Sequence, residues 1–240
     1  MNTIQLNIKN LTHLWATAGQ SFQNYIEAQP IYISKIDGSQ WPNRIWTNAL
    51  LSEESIEKII SKMQTHDGLT FSYFNTTSTQ HPLLTGNSFM LKSLQYGMSM
   101  ELTDKFETQK SITLKKVTNK TDSVLWSKAF YNAFNYHISP EVVLKTIHVV
   151  PYFIAFYKNE CIGTVILHVT NNVLGIHSLG IIPEQRKQGF ALEIMHHAIN
   201  NAINHNLSIV ILQASQMAKD MYQKIGFSID FLMENYQLKQ

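Results

Sequence analysis

Gln185-Arg186-Lys187-Gln188-Gly189-Phe190-Ala191 is the stretch on which the reading of the fold turns. It is entered from an apolar run ending at Ile182-Pro183 and leads into a segment of helical periodicity. A strand, a short polar loop with one glycine, and then a helix leave the unpaired N–H groups of the first helical turn facing outward. That geometry suits an anionic diphosphate. Backbone N–H groups from Lys187 to Leu192 would converge on it, the helix dipole adding roughly 0.3–1 kcal/mol per favourable charge. Gly189 permits close approach of the backbone, and Ala191 leaves room beside it.

Downstream, Phe190, Ile194, Ala198 and Ala202 recur every four residues, as do Ala191, Met195, Ile199 and Ile203. This predicts a helix over 188–204 with a broad apolar face, and with Glu193, His196, His197, Asn200 and Asn201 on a wet one. The run 207–212, apolar but for Ser208, predicts a central strand. A short helix over 216–225 ends at Gly226, and a closing strand covers 227–238. Upstream, 111–117 alternates as a strand, and Asp122 is expected to cap a helix carrying Leu125, Trp126, Ala129, Phe130, Ala133 and Phe134. Ser139-Pro140-Glu141 starts a second helix. Strands follow at 152–158, 161–170 and 173–182, joined by turns at Asn159-Glu160 and Asn171-Asn172. Antiparallel pairs with one parallel crossover give an α+β class, a mixed and mostly antiparallel sheet flanked by helices.

The first half carries weaker signals. Residues 3–8 alternate as a strand, 11–28 have helical character and 31–36 read as a strand. Ser52 caps a helix bearing Ile56, Ile59, Ile60 and Met63. Residues 69–74 are strand-like, and Met98, Met100 and Leu102 alternate. No phosphate-loop pattern precedes any of these helices. Trp41-Pro42-Asn43-Arg44-Ile45-Trp46 reads as a buried wedge between halves, from which Arg44 could reach an acceptor cleft.

The spacing Arg186-x-x-Gly189-x-Ala191 resembles the acyl-CoA pyrophosphate loop of the GCN5-related N-acetyltransferase (GNAT) superfamily. A second element resembles the family's closing motif: Leu212-Gln213-Ala214-Ser215, Ala218, Met221-Tyr222 and Ile225-Gly226-Phe227. The resemblance covers about 109–240 and implies a GNAT-like fold in two tandem halves. Residues 1–108 would be a degenerate GNAT-like domain and 109–240 the catalytic one.

It also implies transfer of an acetyl group from acetyl-CoA to a primary amine, by direct attack in a ternary complex. Leu179-Gly180-Ile181 stands where the family's fourth strand runs beside the pantetheine arm, with the Ile181 N–H as oxyanion donor. Arg186, Lys187, Gln188, Gly189, Phe190, Ala191 and Leu192 would hold the diphosphate. Ser215 stands where the family has an Asn, so one hydrogen bond to the cofactor is shortened or lost, although a serine can still cap the helix. Tyr222, with an ordinary pKa near ~10, would protonate the departing thiolate. For the base, His177 lies four residues before Ile181, hence on its face if alternation is regular. Arylalkylamine acetyltransferases place a histidine at that position, and histidine titrates in the useful range. His168 is a second candidate and Glu160, in a turn, a weaker one. Tyr131 and Tyr136 could touch the acceptor. A non-catalytic acyl-CoA-binding or sensor module is the alternative reading, and a scaffold of two inactive halves a third.

Composition bounds these readings. The chain has 240 residues, 44% hydrophobic and 15% charged, enough for a packed core without staples. The single cysteine, Cys161, precludes an intramolecular disulfide and reads as a small buried hydrophobe. A net charge of +2 without a dense basic stripe argues against nucleic acid. Residues 1–10 carry no signal-type apolar run, and no stretch approaches ~20 apolar residues. A cytoplasmic protein that binds neither membrane nor metal is expected; adjacent His196 and His197 have no carboxylate or thiol cluster with them. The acceptor would be a small-molecule or protein amine.

Overall fold

The computed structural model describes residues 2–77, 79–85 and 88–239. Met1 and Gln240, the outer bounds of the two expected halves, lie outside them. Along the chain run α1 (Thr3–Gln20), β1 (Tyr25–Ala28), β2 (Ile31–Ser34), β3 (Arg44–Thr47), α2 (Glu53–Thr65), β4 (Thr70–Asn75) and β5 (Phe89–Glu101). There follow β6 (Ile112–Lys116), α3 (Lys120–Phe134), α4 (Pro140–Thr146), β7 (Tyr152–Tyr157), β8 (Glu160–Thr170) and β9 (Val173–Ile181). The last elements are α5 (Phe190–Asn204), β10 (Ile209–Ser215), α6 (Lys219–Lys224) and β11 (Ser228–Leu238).

Contacts divide the chain into two compact units, residues 1–99 with 213–240 and residues 100–212. This division does not follow the cut at 108/109. β11 pairs antiparallel with both β4 and β5, so the C-terminal strand is held by ladder hydrogen bonds inside the first unit.

In the first unit the strand order is β1-β2-β3-β4-β11-β5. α2 is capped by Ser52, whose hydroxyl accepts from the Ser55 N–H while the Ser55 hydroxyl accepts from the Ser52 N–H. Its Ile56, Ile59 and Met63 pack on Ile33, Ile45 and Phe71 of the sheet. Residues 3–8 are helical, not a strand. Asn2 caps α1 by accepting from the Gln5 N–H at 2.9 Å. The buried stripe Asn7, Asn10, Leu11, Leu14, Trp15, Ala18 has helical spacing. Asn7 is fully buried because its amide is served on both sides, donating to the Met98 carbonyl at 3.0 Å and accepting from Gln213 Nε2 at 2.6 Å. The Trp41–Trp46 segment packs inside this unit. Arg44 donates to the Pro42 carbonyl at 2.9 Å and lies over the Trp15 ring, so its guanidinium is engaged there and not offered to an acceptor.

In the second unit the order is β10-β9-β8-β7-β6, with β9–β10 parallel and the other pairs antiparallel. α3 packs over β7, β8 and β9, and α5 on β9 and β6. The residue that caps α3 is Asn119, not Asp122: its side chain accepts from the Asp122 N–H at 2.9 Å. Asp122, in the first turn, is a buried carboxylate that accepts from Lys115 Nζ at 2.7 Å and Asn119 Nδ2 at 3.0 Å. The hydrogen bond from Lys115 first, then those from Thr118, hold its carboxyl below the usual carboxylate range against the opposing effect of burial. Ser139 caps α4, with Pro140 in the first turn. The β7–β8 turn is made by Lys158 and Asn159, both at positive φ, one residue earlier than expected.

Candidate functional site

Two strands and one helix N-terminus build the candidate cofactor edge. On β8–β9, Thr164 pairs with Gly180 but Ile166 pairs with His177, so Val165 alone faces both Ser178 and Leu179. β9 therefore carries a bulge, with Ser178 at φ +51° and its carbonyl accepting from Thr164 Oγ1 at 3.2 Å. The extra residue breaks the alternation. Cross-strand partners share a face, so His177 lies with Ile166 and Gly180 with Thr164, both on the face under α3, and Ile181 points to the opposite one. The expectation that His177 and Ile181 share a face is thus corrected, since regular alternation does not survive a bulge.

The bulge also sets which backbone groups leave the ladder. The Ile182 N–H donates to the Ile162 carbonyl at 3.1 Å, which makes 162/182 a hydrogen-bonded pair and the adjacent 163/181 a non-bonded one. The N–H and C=O of Ile181 consequently point away from β8. The parallel ladder to β10 covers only Val173–Gly175 against Ile209–Ile211 among the described residues, so it ends before reaching Ile181. Gly163 makes this approach of the strands possible: a Cβ there would stand 2.1 Å from the Gly180 carbonyl oxygen. Gly180 serves α3, because a Cβ there would meet the Phe134 ring at 2.4 Å and the Ala133 Cβ at 2.8 Å. The close approach expected at Gly180 is therefore made by the chain's own helix.

The loop after β9 begins with a 3₁₀ turn over Pro183–Gln185. Arg186 braces it, donating from Nε to the Ile181 carbonyl at 3.2 Å and from Nη2 to the Ala133 carbonyl at 2.9 Å. Lys187 (φ +62°) and Gly189 (φ +81°) turn the chain into α5. Gly189 is the N-cap residue, offers no side-chain cap, and would have nothing within 4 Å of a Cβ. The N–H groups of Phe190, Ala191 and Leu192 thus begin a 15-residue helix at an open end. Phe190 is buried against Tyr157, ring centroids 5.0 Å apart, and anchors that end to the sheet. The helix expected from Gln188 starts two residues later because Gly189 is left-handed.

The outer face of α5 is wet at Asn201, which is exposed, but covered along the rest of the expected stripe. The extended segment 102–111 lies along it. Asn200 holds both backbone groups of Phe106 at 2.8 Å, and Glu193 accepts from the Gln109 N–H at 3.0 Å. His196 Nδ1 donates to the Glu107 carbonyl and its ring stacks on Phe106 at 4.5 Å, while His197 Nε2 donates to the Lys110 carbonyl. Glu193, His196, His197 and Asn200 form a stripe at helical spacing that serves backbone groups of a segment without secondary structure. Sequence reasoning missed this strap and Gly163. The signal for the latter was a glycine inside the Cys161–Thr170 strand pattern.

Other expected residues stand as follows. Leu179 is the second bulge residue on β9. His168, also buried, pairs with Gly175 on the face of His177. Ser215, at the end of β10, does not cap α6; its hydroxyl accepts from the Ala218 N–H at 3.3 Å, closing a turn, and α6 begins at Lys219. Tyr222 belongs to the first unit, where it is buried against Phe227 and burial pushes its phenol up to about 12. Burial also pushes the Cys161 thiol up, which suits a packing role and not a thiolate. Among the described residues no group of three or more His, Cys, Asp or Glu could hold a metal ion, and no helix is long and apolar enough to cross a membrane.

The family model described as acetyltransferase (GNAT) family matches residues 118–227. A GCN5-related N-acetyltransferase from Kribbella flavida superposes with a TM-score of 0.68 at 12% identity, covering 99% of this chain and 95% of that one. Another, from Sphaerobacter thermophilus, gives 0.62 at 14% identity over 87% and 76%. A conserved Staphylococcus epidermidis protein of unknown function gives 0.60 at 18% identity over 88% and 91%. No curated protein matches the sequence. At such identities the structural likeness speaks for the fold alone. Residues 118–227 thus match the acetyltransferase (GNAT) family, and the chain has a GNAT-like α+β fold of mixed sheets flanked by helices.

Proposed function

We propose that the chain is an acyl-CoA-dependent N-acetyltransferase that moves an acetyl group from acetyl-CoA to a primary amine by direct attack. The observation that carries this reading is the pairing of two open backbone features in one unit. The Ile181 N–H is turned out of the β8–β9 ladder, and the uncapped N-terminus of α5 opens at Gly189 after the loop that follows. Acetyl-CoA supplies the activated thioester. The first-turn N–H groups of α5, with Lys187 and Gln188, would hold its diphosphate, and the Ile181 N–H would donate to the thioester oxygen as negative charge develops. Leu179 and Gly180 would flank the pantetheine arm. Arg186 acts mainly by bracing the loop, since its guanidinium already serves two carbonyls. Tyr222 is the proposed acid, its phenol kept protonated by burial, with Ser215 as a minor cofactor contact. His177 is the proposed base.

Residues 1–108 are proposed as a degenerate GNAT-like half beside a catalytic 109–240, the protein as cytoplasmic, and the acceptor as a small-molecule or protein amine. The engaged Arg186 favours one other reading, an acyl-CoA sensor without turnover. Calorimetry with acetyl-CoA and CoA, followed by free-thiol detection against a panel of primary amines, tests both. Binding with thiol release supports transfer, binding without release supports the sensor, and no heat from folded protein overturns both. Gly189→Glu, which places a carboxylate at the helix start, should abolish binding.

A further inference from the structure

In the first unit β11 carries a buried carboxylate, Glu234, that forms no ion pair among the described residues. Glu234 pairs with Tyr73 on β4 and with Leu94 on β5, and cross-strand partners share a face. Two residues away on either side along β11 stand Leu232, opposite Asn75 and Tyr96, and Tyr236, opposite Phe71 and Leu91. Toward Tyr236 the face is covered, since Phe71, Phe89 and Tyr236 belong to the core on which α2 packs. Toward Leu232 it opens: Leu232, Leu94, Tyr96 and Tyr73 are only half-buried. Glu234 stands at the boundary and is itself 6% exposed.

A buried carboxylate is costly unless it is paired as well as hydrogen-bonded. Glu234 has hydrogen bonds but no pairing. Oε1 accepts from Asn75 Nδ2 at 2.8 Å and Oε2 from the Tyr236 hydroxyl at 2.5 Å. Both donors are neutral, and a carboxylate offers about four lone-pair positions, so acceptor capacity remains on both oxygens. Asn75 is fixed with its NH2 toward Glu234, because its Oδ1 accepts from the Thr77 N–H and hydroxyl, each at 3.0 Å. Burial, and after it the hydrogen bond to Glu234, push the Tyr236 phenol above the usual range, so it stays a donor. Burial and then the Glu234 charge raise Tyr73 as well, and its hydroxyl has no partner among the described residues. Other groups of this face are engaged. His81 rests edge-on against the Tyr73 ring at 5.7 Å, its Nδ1 accepting from the Leu83 N–H. Lys219 lies over the Tyr96 ring at 4.9 Å and pairs with Asp220 at 3.7 Å.

We propose that this place binds an organic ammonium ion, the Glu234 carboxylate and Tyr73 hydroxyl accepting from its –NH3+ group and the half-open face of Leu94, Leu232 and Tyr96 taking its apolar body. The ligand supplies the charge that the carboxylate lacks, and aromatic walls suit both a cation and a hydrocarbon. A bare metal ion is poorly served, because among the described residues no group of three or more His, Cys, Asp or Glu could hold one. Every residue named belongs to the first unit and none to the unit of Ile181 and α5, so the site is independent of the acetyl-transfer reading.

The test uses the full chain near pH 7, where an alkylamine of pKa ~10 is an ammonium ion. Calorimetry with phenethylamine hydrochloride should show saturable binding. 2-Phenylethanol, the same body without the charge, should bind at least tenfold more weakly. Glu234→Gln keeps an oxygen that can accept from Asn75 or Tyr236, and it should weaken the amine at least tenfold. Tyr73→Phe keeps the ring, serves if Gln does not fold, and should weaken the amine severalfold.

NMR locates the ligand. The Asn75 side-chain amide, which donates to Glu234, should shift saturably with phenethylamine and stay put with 2-phenylethanol. No saturable binding to folded protein, wild-type affinity in both variants, or binding that leaves the Asn75 amide unmoved overturns the site. So does an amine displaced equally well by potassium chloride at the same concentration, since the ligand would then be any cation. If wild type binds phenethylamine in this way but not acetyl-CoA, the acetyl-transfer reading fails and the ammonium site stands.

Discussion

Gly163→Ala puts the β8–β9 geometry to a quantitative test. The new Cβ would lie 2.1 Å from the Gly180 carbonyl oxygen, 3.1 Å from its carbon and 3.2 Å from Ile181 Cα. A carbon and a carbonyl oxygen need about 3.3 Å, so β9 must retreat by about 1 Å where Ile181 leaves the ladder. The obstructing atoms are backbone, which cannot swing aside as a side chain can. Overpacking of this kind costs about 1–3 kcal/mol, and loosening the Ile182–Ile162 hydrogen bond adds about 1 kcal/mol. At about 3 kcal/mol, a chain of this size should melt roughly 6–12 °C lower. Gly189→Ala is the control. It meets nothing within 4 Å and suffers only from its φ of +81°, worth about 1–2 kcal/mol and a correspondingly smaller fall. Differential scanning calorimetry on both variants decides the matter. A Gly163→Ala protein melting within 2 °C of wild type, or melting above Gly189→Ala, would refute the inferred close approach of the two strands.

Tyr222→Phe should reduce turnover severalfold or more while leaving CoA affinity nearly unchanged; steady-state assays with parallel calorimetry check this, and equal turnover removes Tyr222 as the acid. Because the folded phenol is raised to about 12 from about 10 when unfolded, its neutral form is favoured by folding. That stabilisation is complete below pH 10 and lost as pH climbs through 12, so Tyr222→Phe should be less sensitive to alkali than wild type in urea titrations at pH 9 and 11.5. Asp122 is shifted the opposite way, its stabilisation present above the ordinary carboxylate range and lost as pH falls through the lowered folded value. Asp122→Asn should therefore destabilise at pH 7 by about 1–3 kcal/mol and make little difference near pH 2, read from denaturant midpoints. Asn200→Ala strands both backbone groups of Phe106 and should cost about 2 kcal/mol, with faster amide exchange at Phe106 and Gln109 as the local signature.

Where local pattern and final burial agree, the sequence could be read directly. The α5 stripes and the β7–β8–β9 meander have apolar residues at their own period, with asparagines at the turns. Residues 3–8 misled because Ile4, Leu6 and Ile8 alternate while the buried stripe of α1 includes two asparagines, of which Asn7 finds its partners far along the chain. The left-handed turn into α5 could be found from one glycine and its neighbours, but the face of His177 could not. The bulge is formed by Ser178 and Leu179, residues with no local preference for a left-handed or doubled position. Likewise Glu193 and Asn200 look solvated from composition. Their partners are peptide groups of the strap, which carry no trace in residue identity.

The path of the chain through residues 99–213 has a practical side. Leu102 donates to the Ser208 carbonyl at 2.8 Å, so the inbound and outbound strands of the 100–212 body run side by side. That body is a cassette spliced into a host whose first and last pieces must meet to finish one sheet. Dividing the gene at codon 108 would strip β4 and β5 of the neighbour they share. Expressing 100–212 by itself would yield a protein with the Arg186–Gly189 loop but not Tyr222. Dissection by domain is therefore best attempted by internal deletion, joining 1–99 directly to 213–240, with 100–212 expressed separately.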